Sequence, residues 1–432
     1  MRFNIFKNTV LLFVFIMISC ASKAKSKLYI NNETLHTTKS DSIIIIGANQ
    51  TDNYLSLLNG KRVGIVANQT SVIFKKEKTQ VIGIDPETHE QSVVHVVEKD
   101  TMTHLVDSLM ALKIDIKKVF SPEHGFRGRV DAGELVKDGI DTKTNLPIVS
   151  LYGKNKKPTK DQLEGLDIVI FDIQDVGVRF YTYISTLHYI MEACSEQGIP
   201  VLILDRPNPN GHYVDGPTLE IKNKSFLGMH PIPLVHGMTI AEYAQMINGE
   251  KWLKNGVQCD LTIISMKNYT HDTFYSLPLR PSPNLPNDQS IKLYPSLGLF
   301  EGTNVNAGRG TEFQFQRYGA PFLNKTTLTF SYTPVANFGA KYPKHKNVLC
   351  YGEDLKDETL NGVMTLKWVI KAYQNSMDKS LFFNTENFTK HAGIDTLQKQ
   401  IEAGLSESEI KATWQEALES FKKTRSKYLI YN

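Results

Sequence analysis

The run Asp167-Ile-Val-Ile-Phe-Asp-Ile173 decides the fold class. Its interior is apolar without alternation, as in strands covered on both faces inside parallel sheets. It leads into Gln174-Asp-Val-Gly-Val-Arg-Phe-Tyr-Thr-Tyr183, where glycine and charge replace the apolar run. Leu187, Ile190, Met191 and Cys194 then recur at helical spacing and predict a helix over 185–197, stopped by Gly198. Pro200 to Leu204 is the next strand and ends in Asp205-Arg-Pro-Asn-Pro-Asn-Gly211.

Upstream, the same alternation repeats. A helix over about 52–58 is closed by Gly60, and Arg62 to Ala67 is a buried strand with Asn68 at its end. Residues 71–100 read as irregular, with β-like pieces. Thr101 to Leu112 has helical spacing, Ile116 to Phe120 and Leu146 to Leu151 are strands, and Thr159 to Leu166 is a short helix. Strand–helix–strand order implies an α/β domain with a mostly parallel sheet and helices on both faces.

Polar clusters follow four of these strands: Asn68, Ser121 to Glu134, Asp172 to Tyr183 and Asp205 to Asn210. In a parallel sheet they land on one edge, where open sheets bind ligands. The second cluster, Ser121-Pro-Glu-His-Gly-Phe-Arg-Gly128 continuing to Asp131-Ala-Gly-Glu134, is the densest. It combines carboxylates, an imidazole and guanidiniums with glycines that let backbone approach a ligand. No core needs that mixture. No strand is followed by GxGxxG and no P-loop is present, which disfavours a bound dinucleotide.

From about His230 prolines and turns accumulate, as in Arg280-Pro-Ser-Pro-Asn-Leu-Pro286. The spacing predicts helices over 239–247, 359–374 and 406–421, with Ser406 and Glu409 forming a capping box. Strands are expected at 260–265, 328–332 and 347–351. We read 41–230 as the α/β domain and 231–432 as a smaller α+β domain closing over it.

The 432 residues carry 49 basic and 45 acidic side chains, too balanced for a nucleic-acid binder. Cys20, Cys194, Cys259 and Cys350 form no CxxC pair, so neither a zinc site nor a disulfide framework is expected. The first 20 residues have the form of an export signal: basic Arg2 and Lys7, then an apolar run from Leu11 to Ile18 too short to favour a membrane span. Ser19-Cys20 resembles a lipobox, which makes Cys20 the expected lipidation site and a membrane anchor. Residues 21–40 read as a tether. Lys23, Lys25 and Lys27 lack an acidic run after the cysteine, which favours a periplasmic location.

The motifs SPEHGFRG with DAGE, FDIQDVGVRFYTY, LDRPNPNG, RPSPNLP and LFEGTNVNAGRGTE, in that order, together resemble the exo-β-N-acetylmuramidases. The resemblance covers Arg62 to the C-terminus. It implies a Rossmann-like domain with a smaller C-terminal domain, a site in the cleft, and release of N-acetylmuramic acid from non-reducing ends of peptidoglycan fragments. It implies no cofactor. Residues 75–100 look like extra material, and Ala307 stands where the family pattern calls for an acid.

Glycoside cleavage needs one carboxylic acid to protonate the leaving oxygen and a second group to act as nucleophile or activate water. Glu123 is the first candidate for the acid. Asp175, Glu134, Asp131 and Tyr181 are candidates for its partner, and His124 for orienting Glu123. Arg127, Arg179 and Arg309 match the geometry of a lactyl carboxylate, although Arg309 could simply pair with Glu312. Asn68, Asn284 and Asn304 are candidates for hydroxyl or acetamide contacts, with Asp131 beside them. A non-catalytic periplasmic lipoprotein that binds sugars is the alternative function, since fold does not fix function. The absence of GxSxG and HExxH argues against an esterase or peptidase.

Overall fold

The computed structural model describes residues 43–84, 91–128, 138–360 and 362–432, without the side chains of 76–98 and 100. The expected signal, tether and Cys20 lie outside the described residues, as do Asp131 and Glu134. Among the described residues no helix is long and apolar enough to cross a membrane.

The apolar runs pair as a seven-stranded sheet in the order β5-β6-β4-β1-β7-β8-β9. These are β1 (Val63–Ala67), β4 (Ile116–Ser121), β5 (Gly139–Ile140), β6 (Pro147–Ser150), β7 (Ile168–Asp172), β8 (Val201–Leu204) and β9 (Leu261–Ile264). All pairs are parallel except β5 with β6. From β1 the chain steps outward through β4 to β6, then returns to β7 and steps the other way. That reversal opens a crevice beyond the carboxyl ends of β1 and β7.

Alternate strand residues point to opposite faces, and each face has its own core. On one, Val63, Ile65, Ile168, Ile170 and Leu202 pack against Tyr54 and Leu58 of the helix Thr51–Leu58 and against Leu105 and Leu109 of Leu105–Ala111. On the other, Val66, Val169, Phe171, Val201 and Ile203 meet Leu187, Ile190 and Met191 of the helix Tyr183–Glu196 and Ala244 and Ile247 of Ile240–Gly249. Each fully buried aliphatic side chain contributes about 1.5–3 kcal/mol.

Several expectations need correction. The sheet runs past residue 230, because β9 and the helix Ile240–Gly249 complete it. Residues 71–100 are not irregular: β2 (Val72–Ile84) and β3 (Gln91–His104) form a long antiparallel hairpin, and the helix after it starts at Leu105. The helix expected over 406–421 is two, Glu407–Ala412 and Gln415–Arg425. Thr413 Oγ1 donates back to the Ile410 carbonyl at 2.7 Å, a side-chain bond that competes with the helix ladder. The helix Asp288–Leu297 has no counterpart in the sequence reading, because the surrounding prolines, including Pro295 inside it, read as turn. β10 (Arg317–Ala320), β11 (Phe330–Tyr332) and β12 (Cys350–Asp354) form a small antiparallel sheet.

One side chain ties these parts together. Arg179, fully buried, donates through Nη1 to the carbonyls of Pro217 (2.7 Å) and Ile232 (2.9 Å), and through Nη2 to those of Ala392 (2.6 Å) and His391 (3.0 Å). It therefore binds no substrate, contrary to expectation. Gly393 closes the helix Thr385–Ala392 at φ +79°, and a Cβ there would lie 2.4 Å from Arg179 Nη2. Burial pulls the guanidinium down to about 9, still protonated at neutral pH. Arg179→Met should lower unfolding free energy by at least about 3 kcal/mol, since it strands buried carbonyls. Urea denaturation checks this, and a loss under about 1 kcal/mol would mean the clamp is unimportant.

Candidate active site

Strand β4 delivers Glu123 to the carboxyl edge of the sheet. The backbone then turns sharply: His124 has φ +70° and Gly125 φ +78°, and Gly125 N donates to the Pro122 carbonyl at 3.1 Å. A left-handed histidine costs energy and persists only where packing enforces it. Here the turn buries His124 and Phe126 and leaves Glu123 partly exposed. Phe126 sits edge-on to His104, with centroids 4.9 Å apart.

The loop after β7 supplies the adjoining wall. Asp175 Oδ2 accepts from Gly177 N at 2.7 Å, and Gly177 takes φ +75° where a Cβ would fall 2.3 Å from Asn208 Nδ2. This turn feeds Tyr181, Thr182 and Tyr183 into a cavity of about 260 Å³. The cavity is also lined by Glu123, His124, Ser282, Asn284, Tyr294, Glu301, Arg309 and His391. Its rings meet edge to face: Tyr181 lies 4.8 Å from Tyr183, and Tyr294 lies 4.8 Å from Phe315. Glu123 is held by Thr182 Oγ1, which donates to its Oε2 at 3.2 Å, and by the Tyr152 hydroxyl. Burial and then the Glu123 charge push the Tyr152 hydroxyl up, so it stays protonated and donates.

Across the cavity, Arg309 Nη1 meets Glu301 Oε2 at 2.9 Å, so the arginine pairs with Glu301 and not with Glu312. Burial alone would raise the Glu301 carboxyl, but Arg309 and then Lys344 outweigh it and hold it below the usual range. Lys344 Nζ donates to the carbonyls of Thr303 (2.6 Å), Phe300 (2.8 Å) and Glu301 (3.2 Å). His391 Nδ1–H donates to the Asn387 carbonyl at 2.8 Å, and burial holds the ring below its usual pKa. This corner thus carries two cations against one carboxylate. Asn284 donates to the Gly339 carbonyl at 2.8 Å.

Of the residues expected at the site, the cavity unites Glu123, His124, Tyr181, Asn284 and Arg309. Asp175 lies behind it, buried, its carboxyl pushed up to about 7 by desolvation. His236, 3.9 Å away, is held down to about 3 by burial and is neutral there. Asn68 is also behind the wall, accepting from Thr70 N at 2.9 Å. Arg127 is consumed by Asp141 (2.8 Å) and Asp107 (3.1 Å) and stacks on Phe126. Asn304 donates to the Leu381 carbonyl at 2.6 Å, as a loop tie. Tyr181 cannot serve as a nucleophile: its hydroxyl donates to the Pro281 carbonyl at 2.7 Å, and burial holds it well above its ordinary pKa.

Glu301, Thr182, Tyr294 and His391 are site residues the sequence reading did not single out. Glu301 sits inside the quoted LFEGTN motif, whereas His391 lies on a helix with no motif around it. A second pocket of about 480 Å³ adjoins the first and shares Glu123, Thr182 and Leu227 with it. Among the described residues no group of three His, Cys, Asp or Glu could hold a metal ion.

The family models for the N- and C-terminal domains of the exo-β-N-acetylmuramidase NamZ match residues 63–289 and 292–431. Their junction, between 289 and 292, falls near the start of the helix Asp288–Leu297. The peptidoglycan β-N-acetylmuramidase NamZ of Bacillus subtilis (strain 168) is 38% identical over 400 residues, covering 88% of this chain and 89% of that one. A crystal structure of a DUF1343 family protein from Bacteroides fragilis superposes with a TM-score of 0.76 at 43% identity, over 90% of this chain and 99% of that chain. A second DUF1343 structure from the same organism, at 24% identity and a TM-score of 0.70, shares the fold. With both family models matched end to end across the sheet and the cavity walls, this chain belongs to the exo-β-N-acetylmuramidases, a family of glycoside hydrolases.

Proposed function

We propose that the protein is an exo-acting glycoside hydrolase that releases N-acetylmuramic acid from the non-reducing ends of peptidoglycan fragments. The observation that carries this reading is the place of Glu123, which lines both pockets where they join. A carboxyl there lies beside the bond linking a terminal sugar in the smaller cavity to a ring in the larger pocket. It can protonate the departing oxygen, a step worth about 10²–10⁴-fold in rate. Thr182 and Tyr152 orient the carboxyl by donating to it.

The tyrosine-lined wall offers ring edges and faces to the apolar side of a sugar. The net-positive corner of Arg309, Lys344 and Glu301 suits the lactyl carboxylate that distinguishes N-acetylmuramic acid from N-acetylglucosamine. Glu301 holds the guanidinium through Nη1 and the Gly339 carbonyl accepts from Nη2 at 3.4 Å, so the group lines the cavity already ordered. Glu301 is therefore a positioning residue for Arg309.

Glu123→Gln should fold normally and lose roughly 10²–10⁴-fold in turnover on a MurNAc–GlcNAc disaccharide. The loss should be much smaller on 4-nitrophenyl β-N-acetylmuramide, whose leaving group needs no proton. Equal losses on both substrates would remove Glu123 from the acid role. In Arg309→Ala, KM for the aryl muramide should rise and the preference over the matching glucosaminide should fall about tenfold. An unchanged preference would mean the lactyl group is read elsewhere.

The same proposal puts the enzyme in the periplasm, tethered through a lipid on Cys20 and serving cell-wall turnover and recycling. Arg2, Lys7, the apolar run 11–18 and Ser19-Cys20 support it. Fatty-acid labelling of the full-length chain in cells, abolished in Cys20→Ala, is the expected result; labelling that survives the substitution counts against it.

A further inference from the structure

We propose that the larger pocket is a leaving-group site selective for glycans that carry an anionic group beyond the first departing ring, and that Lys156 and Lys390 read that charge. The inference rests on the hydrolase reading above, because it is Glu123 that separates the two pockets.

The larger pocket is lined by Tyr152, Lys156, Phe226, Asn387 and Lys390 besides the shared residues. Lys156 is partly buried, and its ammonium lies over the Phe226 ring, 4.5 Å from the centroid. Tyr189 stacks on Phe226 at 6.2 Å with planes 12° apart, so the ring is fixed. A cation–π contact steadies an ammonium but consumes none of its N–H donors. Among the described residues Lys156 has no carboxylate within ion-pair reach. Its neighbour Lys157, by contrast, is fully engaged by Glu192 and Glu196 at 2.7 and 2.8 Å. A lysine that faces a cleft without a carboxylate keeps its N–H donors available to an anionic ligand.

Lys390 projects from the helix Thr385–Ala392 into the same pocket and pairs with Glu386 at 2.5 Å. That carboxylate is the more exposed partner, 80% against 38%. Exposed pairs of this kind are weak, so Lys390 can exchange partners at little cost. The volumes, about 480 Å³ against about 260 Å³, leave room in the larger pocket for more than the single ring that the smaller one holds.

In an alternating glycan, the ring leaving next to Glu123 is N-acetylglucosamine, which is uncharged. The next carboxylate belongs to the lactyl group of the ring beyond. A pocket that places two lysines on the leaving side of Glu123 favours longer fragments over the disaccharide. Glu123 stays the acid in every case, and only the grip on the departing chain changes.

The test compares the trisaccharide MurNAc–GlcNAc–MurNAc with the same molecule whose reducing-end lactyl carboxylate is a methyl amide. Wild-type enzyme should show about a tenfold higher kcat/KM for the acid, a preference that shrinks as salt screens it. Lys156→Gln/Lys390→Gln should bring the ratio of the two substrates close to one. Equal kcat/KM for acid and amide in the wild type, or a ratio unmoved by the double substitution, overturns the proposal while leaving the hydrolase intact. Failure of the wild type to cleave either trisaccharide or the aryl muramide overturns both readings.

Discussion

The buried guanidinium of Arg179 is the interaction on which the site depends. It belongs to the loop that follows β7, yet its four acceptors lie in two distant segments: Pro217 and Ile232 on one side, His391 and Ala392 on the other. The first two come from the connection between β8 and the helix Ile240–Gly249, and the last two end the helix that carries His391. An ionised group bonded only to carbonyls has no charge partner, so its desolvation is offset solely by good hydrogen-bond geometry. Such a group holds segments in register and tolerates no slack. Because Phe180 and Tyr181 follow it directly, the register of the tyrosine wall against the Glu301–Arg309 wall is set at the same point.

From that frame the chemistry follows with few further elements. A doubly wound sheet opens a crevice where its strand order reverses, and Glu123 stands at the end of the strand beside that reversal. The positive-φ turn at His124 and Gly125 holds the carboxyl forward while its neighbours are buried. The two pockets meet at this carboxyl, one bounded by aromatic rings and a cationic corner, the other by Phe226 and two lysines.

The sheet was legible because fully buried strands leave unbroken apolar runs, and β1, β4, β7 and β8 each sit within a residue or two of the expected bounds. That Glu123, His124 and Tyr181 line the cavity was legible because polar loops at strand ends gather at one edge of a parallel sheet, although the catalytic role expected of Tyr181 was not the one its buried hydroxyl allows. The arginines were not separable. Arg127, Arg179 and Arg309 offer the same fork to any acceptor, and only the fold brings Asp107 and Asp141 to the first and four carbonyls to the second. His391 escaped because its role depends on a helix meeting the cavity from far along the chain. The C-terminal helices were misjudged for a local reason, since Thr413 breaks a pattern whose apolar spacing continues through it.

Product analysis on a defined tetrasaccharide, MurNAc–GlcNAc–MurNAc–GlcNAc, tests the central claim most directly. If the bond cleaved is the one held at the junction beside Glu123, the first products are free N-acetylmuramic acid and the trisaccharide GlcNAc–MurNAc–GlcNAc, with no disaccharide at early times. Release of a disaccharide as the first product would mean that the smaller cavity does not hold a single terminal sugar, and would contradict the account.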